Sequence, residues 1–271
     1  MAAGSWTVAA AIGAGVAFAA LAHRARALTA SGAAVGGGLA ACLVGLGGWA
    51  WVGPGLTFFV LSSALSKLQP RPKTEVARRF EKGAVRDAGQ VLANGGVAWG
   101  LLILWAVLPP SWSTGQGVLY AGGCGAFAAA AADTWATELG TLSPERPRSI
   151  RSGRPVPTGT SGGVSILGTL GGVLGAGSVA AAALLGATAT VGLGATITGG
   201  GIAGMLADSL AGATIQAQYR DPATGRHTEL PPAPDAVPVQ GWNAITNDTV
   251  NWIGTAVGGG VSALGFLLFA A

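Results

Sequence analysis

All fifteen lysines and arginines of this chain fall into four clusters, and the stretches between the clusters are long and apolar. The clusters are Arg24 with Arg26, seven cations from Lys67 to Arg86, four from Arg146 to Arg154, and Arg220 with Arg226. A water-soluble domain spreads about 25% charged residues over its surface. Here the share is 10%, against 50% hydrophobic residues and a mean hydropathy of +0.53. Apolar runs of this length find their solvent in a bilayer, where only helices or closed barrels satisfy the backbone. The 47 glycines suit close packing between membrane helices. The expected fold class is therefore all-α, a polytopic transmembrane helical bundle forming one integral membrane domain over residues 1–271. The expected location is the cell membrane, as a multi-pass protein.

Charge sets the topology. A span needs about 20 residues, and Lys and Arg collect on the cytoplasmic side. The apolar runs lie at residues 6–22, 32–65, 88–108, 117–139, 161–185, 187–217 and 245–271. The run at 6–22 is followed, not preceded, by its positive charge, which favours a retained span over a cleaved signal peptide. The run at 32–65 is too long for one crossing, and Gly53-Pro54-Gly55 is the expected break. About eight spans result, or seven if the first is removed or the third fails to cross. With eight, both termini lie outside and every cation lies inside. A pI near 9.6 thus reports topology, and nucleic acid is not expected as a partner. Cys42 and Cys124, each inside an apolar run, read as packing residues.

The same map places Asp87, Asp133, Glu138, Asp208 and Asp248 near the inner ends of spans, so the expected site lies at the cytoplasmic membrane face. A carboxylate at membrane depth costs a few kcal/mol and usually faces a protein interior. Asp133 and Asp208 have no basic neighbour in sequence, and each closes an inward-running span, so the two could face each other. Asp133 and Glu138 are five apart, about 140° around a helix; sharing one site requires the helix to end between them. Asp87, Gln90 and Asn94 share one helical face, as do Asp208, Gly212 and Gln216. Asp248 and Asn251 stand at the start of the last span. Hard oxygen ligands of this kind suit Mg²⁺, with Asp133, Asp208 and Asp248 as candidate ligands. Zn²⁺ is not expected, because His23 and His227 stand alone in loops.

The loop Pro155-Val156-Pro157-Thr158-Gly159-Thr160-Ser161-Gly162-Gly163-Val164-Ser165 opens the apolar run at 161–185, and Arg151 and Arg154 precede it. Gly, Thr and Ser at a helix entrance can present N–H and O–H groups to an anion. No Gly-Lys-Ser/Thr follows, so this is not a Walker A loop.

These motifs resemble a known family. Asp133-Thr134-Trp135-Ala136-Thr137-Glu138-Leu139-Gly140, the loop from Pro155 to Ser165, Asp208-Ser209 and Asn247-Asp248-Thr249-Val250-Asn251 are similar to those of the phytyl-phosphate kinase family (transmembrane-protein-19-like, domain of unknown function 92). Lys82-Gly83, Arg86-Asp87 and the Gln90 to Asn94 stretch also fit, so the resemblance covers residues 67–271. It implies a CTP-dependent membrane kinase that phosphorylates an isoprenyl monophosphate, such as phytyl or geranylgeranyl phosphate, to the diphosphate with Mg²⁺. It implies catalytic acids at Asp133, Glu138, Asp208 and Asp248. Phosphate binding would fall to Lys82, Arg86, Arg151, Arg154, Thr158, Gly159, Thr160, Ser161, Gly162 and Gly163. Supporting polar groups would be Asp87, Gln90, Asn94, Ser209, Asn247 and Asn251. The alternatives are a polyprenol or phytol kinase or a cytidylyltransferase, which share this chemistry. A membrane transporter is the alternative from another class; it would want its acids at the midplane.

Overall fold

A computed structural model describes residues 5–68, 85–186, 190–222, 225 and 227–269. Among these the chain forms α1 (Ser5–Arg24), α2 (Ala30–Cys42), α3 (Gly48–Leu68), α4 (Ala88–Val107), α5 (Ser113–Gly140), α6 (Ile166–Gly186), α7 (Val191–Thr214) and α8 (Asn247–Phe269). Two short antiparallel ribbons interrupt the helices. Arg148–Ser149 (β1) pairs with Gly163–Val164 (β2), and Tyr219–Arg220 (β3) pairs with His227–Thr228 (β4). The helical membrane bundle read from the sequence is what the chain forms.

The helix starts are written locally. Thr29 Oγ1 accepts from Gly32 N at 3.1 Å, Ser165 Oγ from Gly168 N at 3.1 Å, and Thr190 Oγ1 from Leu193 N at 3.1 Å. Asp87 and Gln90 form a reciprocal capping box: Gln90 N donates to Asp87 Oδ1 at 3.0 Å and Asp87 N donates to Gln90 Oε1 at 3.2 Å. At the other end of α4, Leu108 is extended, as a residue before Pro109 must be.

The break in the second apolar run differs from expectation. Leu43–Gly47 winds as a π-helical turn, and Gly48 takes φ +59°, which reverses the chain there. Gly53-Pro54-Gly55 lies inside α3. A proline in a helix strands the carbonyl four residues before it, here Ala50. The Tyr120 hydroxyl lies 3.1 Å from Ala50 O and 2.9 Å from Ala183 O, so α5 supplies the donor that Pro54 lacks. The run therefore crosses twice. Its α3 ends with Lys67 donating to the Ala25 carbonyl, beside the basic end of α1.

The helices alternate in direction, and α5 runs through the middle. Residues 120–132 of α5 are buried without interruption, which a helix achieves only when neighbours surround it. It packs against α3, α4, α6, α7 and α8. Small residues permit this: a Cβ added at Gly204 of α7 would come within 2.5 Å of both Ala129 Cβ and Gly254 O. Large apolar side chains point outward instead, among them Ile12, Val16, Leu170, Leu174, Leu264 and Leu267. Five stretches are long and apolar enough to cross a membrane by themselves: Thr7–Arg24, Ala30–Leu68, Ala88–Val107, Ile166–Gly186 and Asn247–Phe269. The inner pair, α5 and α7, carries Asp133, Glu138 and Asp208.

Candidate functional site

At the basic end of the bundle lies a cavity of about 240 Å³. α4, α5, α6, α7 and α8 line it together with Ser66 of α3, and the segment from Thr158 to Ser165 borders it. Asp133 and Asp208 meet there, each carboxyl group within interaction range of the other. Each sits six or seven residues before its helix ends, about 10 Å inside. Parallel helices arriving at one depth bring the two acids together, as their like positions in sequence suggest.

Glu138 joins the cavity by a different route. α5 does not end between Asp133 and Glu138 but stays helical to Gly140. The cavity instead wraps the end of the helix, so residues about 140° apart both line it. Glu138 interacts electrostatically with Arg86. Arg86 is fixed by its backbone: its N donates to Ala27 O and its O accepts from Thr29 N, both at 3.0 Å. Its Nη1 donates to Ser63 Oγ at 3.2 Å, and its guanidinium lies 5.9 Å from the centre of the Phe58 ring. Burial pushes the Arg86 guanidinium below its ordinary pKa and Glu138 opposes this; an Arg remains charged throughout.

Gln90 and Asn94 line the cavity, with Asn94 Nδ2 donating to Gln90 O at 2.9 Å. Asp87 does not line it, because its carboxylate is committed to the capping box. Asn247 and Asn251, four apart and therefore on one face, both reach the cavity. Asp248 is turned about 100° from Asn247 and is not among the lining residues. Ser209, next to Asp208, lines the cavity. Lys82 lies outside the described residues.

The Gly-rich loop is a structured hairpin. Thr160 N donates to Pro157 O at 3.1 Å, Gly163 N to Thr160 O at 2.9 Å, and Ile150 N to Gly162 O at 2.9 Å. Thr158, Gly159, Thr160, Ser161, Gly162 and Gly163 all face the cavity. Gly162 serves packing: it has φ +73°, and a Cβ there would stand 2.6 Å from Ser209 O on α7. Arg151 and Arg154 project away from the cavity and are exposed. They sit at the turn of the hairpin, where Gly153 N donates to Ser149 O at 2.8 Å.

Two further groups belong to the site. Glu229, directly after β4, lines the cavity and accepts from Ser161 Oγ at 2.8 Å. Its charge reaches both Asp133 and Asp208. Nothing in its local sequence marks it, since the β3–β4 ribbon delivers it from a Pro-rich loop. Gln216 is 2% exposed and lines the cavity, and its Nε2 has no hydrogen-bond partner among the described residues. A buried amide N–H without an acceptor costs about 1–3 kcal/mol, so it marks a place where an acceptor belongs.

Among the described residues no three His, Cys, Asp or Glu side chains converge as a closed metal cage. The Asp133–Asp208 pair fits the more open habit of Mg²⁺, which takes one or two carboxylates and fills its remaining positions with water and phosphate. Neighbouring hydroxyl and amide oxygens suit the same hard ion.

The family described as Integral membrane protein DUF92 matches residues 13–267. The chain is 31% identical over 234 residues to Protein PGR of Arabidopsis thaliana, covering 73% of this chain and 75% of that protein. It is 33% identical over 211 residues to Uncharacterized membrane protein MJ0933 of Methanocaldococcus jannaschii, covering 77% and 73% respectively. No solved structure matches it.

Proposed function

The chain belongs to the DUF92 family of integral membrane proteins, and from that premise we propose that it is a phosphotransferase, a CTP-dependent kinase of isoprenyl monophosphates. The observation that carries this reading is the Asp133–Asp208 pair facing an oxygen- and amide-rich loop in one cavity, beside the unpaired amide of Gln216. Asp133 and Asp208 are the residues that would hold Mg²⁺. When bound, the ion would draw negative charge from the triphosphate oxygens.

Gln216 Nε2 donates to a phosphate oxygen, and the loop hydroxyls of Thr158 and Thr160 add further contacts. Arg86 brings a fixed guanidinium to the lining, and charge-assisted bonds of this type exceed neutral ones. An oxygen of the isoprenyl monophosphate bonds to the γ-phosphorus of CTP. The bond from that phosphorus to the β–γ bridging oxygen breaks, and its electron pair leaves with CDP. The attacking oxygen is already ionised near neutral pH, so no base has to remove a proton. Such transfer depends mainly on alignment and charge stabilisation.

The histidines support a phosphate rather than an alcohol acceptor. His23 pairs with Leu28 O and His227 with Gln218 Oε1, both at 3.0 Å, and neither lines the cavity. Transport fits less well, because Asp133 and Asp208 lie near the ends of their helices rather than at mid-length. The test is incubation of purified protein with γ-labelled CTP, Mg²⁺ and a panel of isoprenyl alcohols and monophosphates. Label recovered in a diphosphate supports the reading. Label only on alcohols, or none with any nucleotide, overturns it.

A further inference from the structure

A second cavity, of about 220 Å³, lies between α1, α2, α3 and α4. Its walls are apolar, with Phe18, Leu39, Val52, Phe58, Phe59 and Phe127 among them. The polar residues in its lining are Arg86, Gln90 and Asn94, and these same three also line the acidic cavity. The two spaces therefore meet at one neck, with a guanidinium fixed in it. We propose that together they form one binding site for a single-chain phosphorylated amphiphile: its chain occupies the α1–α4 chamber, Arg86 holds its phosphate at the neck, and that phosphate faces Asp133 and Asp208. The chamber's place in the site rests on the kinase reading for the identity of the head group.

Each half does a different job. Inside a membrane, moving a hydrocarbon chain from lipid into an apolar chamber gains little, since lipid tails are as apolar as the chamber wall. The chain thus selects by shape and sets direction, while affinity comes from the phosphate. Arg86 suits that task because its own contacts leave donors over. A guanidinium carries five N–H groups; among the described residues one of them bonds to Ser63 Oγ, and the group also feels the charge of Glu138. Gln90 and Asn94 sit one helical turn apart on α4 and complete the neck with amide groups. α1 and α2, which contribute no group to the acidic cavity, supply the chamber's outer wall. This explains why the chain carries them.

The experiment is photo-crosslinking in lipid nanodiscs without nucleotide or metal. The probe is a C15 prenyl monophosphate with a diazirine at the end of its chain; the matching prenyl alcohol is the control. Expected are adducts on peptides of α1–α4, at least fivefold stronger for the phosphate than for the alcohol. Arg86→Gln should erase that preference. Ala40→Phe, which fills the chamber from α2, should reduce phosphate labelling at least fivefold. Ala40→Leu is the milder intrusion should the larger side chain hinder folding, and it should still cut labelling measurably. Adducts spread over the outer faces of α6 and α8, equal labelling by the alcohol, or full labelling in folded Ala40→Leu would each overturn the proposal. Chamber labelling with no phosphoryl transfer would keep this inference and remove the kinase reading. Transfer with adducts elsewhere would do the reverse.

Discussion

Asp133 of α5 and Asp208 of α7 bring their carboxyl groups together in the lining of one cavity. Two carboxyl groups held this close repel one another when both are ionised, and a divalent cation between them would relieve that repulsion. Asp133→Asn and Asp208→Asn keep shape and hydrogen bonding but remove a charge each. Both should lower turnover by about a hundredfold or more, the scale of losing a main electrostatic group at a reacting centre. Melting temperature in detergent should stay near that of the parent. Turnover close to parental in either variant would take that residue out of the site.

Arg86 and Arg154 should behave oppositely. Arg86 lines both cavities, whereas Arg154 is exposed on the β1–β2 hairpin, where its carbonyl accepts from Ser149 N at 2.9 Å. Arg86→Gln should cost about ten- to a hundredfold in turnover, the value of a charged hydrogen bond. Arg154→Lys should change it by no more than ~twofold, as surface replacements do. Steady-state kinetics on both variants decides; equal losses would move phosphate binding out to the hairpin.

Gly162 is a structural hinge between loop and bundle. Its φ of +73° costs a non-glycine residue roughly 1–2 kcal/mol. An added Cβ would also press on Ser209 O at 2.6 Å. Gly162→Ala should therefore lower the melting temperature visibly and reduce activity by displacing the loop from α7. Thermal unfolding that matches the parent would show that the loop packs elsewhere.

Asp87 lies outside the cavity lining and caps α4. Asp87→Ala should destabilise by about 1 kcal/mol, the usual worth of an N-cap. Turnover per folded molecule should hold near the parental value, and rescue by Asp87→Asn would identify the cap as the cause. A large drop in turnover at unchanged stability would instead assign Asp87 to catalysis.

Much of this is legible in the chain itself. The apolar runs and the four basic clusters specify a helical membrane bundle, because a bilayer leaves the backbone few alternatives. Asp133 and Asp208 stand out because their neighbours are Ala, Ser, Thr and Leu. The position of the α2–α3 reversal was hidden, since Gly53-Pro54-Gly55 reads locally as a break. The Tyr120 hydroxyl, 70 residues from Ala50 in sequence, reaches the carbonyl that Pro54 leaves without its helical donor. The sorting of the other charged groups was hidden for the same reason. Whether Asp87 or Asp248 faces the cavity depends on helix rotation, and whether Arg154 does depends on where the hairpin points. Glu229 and the neck at Arg86 come from segments far apart in sequence, so no local pattern announces them. The sequence determined the membrane helices and which acids are out of place; the packing of α4, α5, α7 and the loops decided which of them share a cavity, because that depends on distances between helices rather than along them.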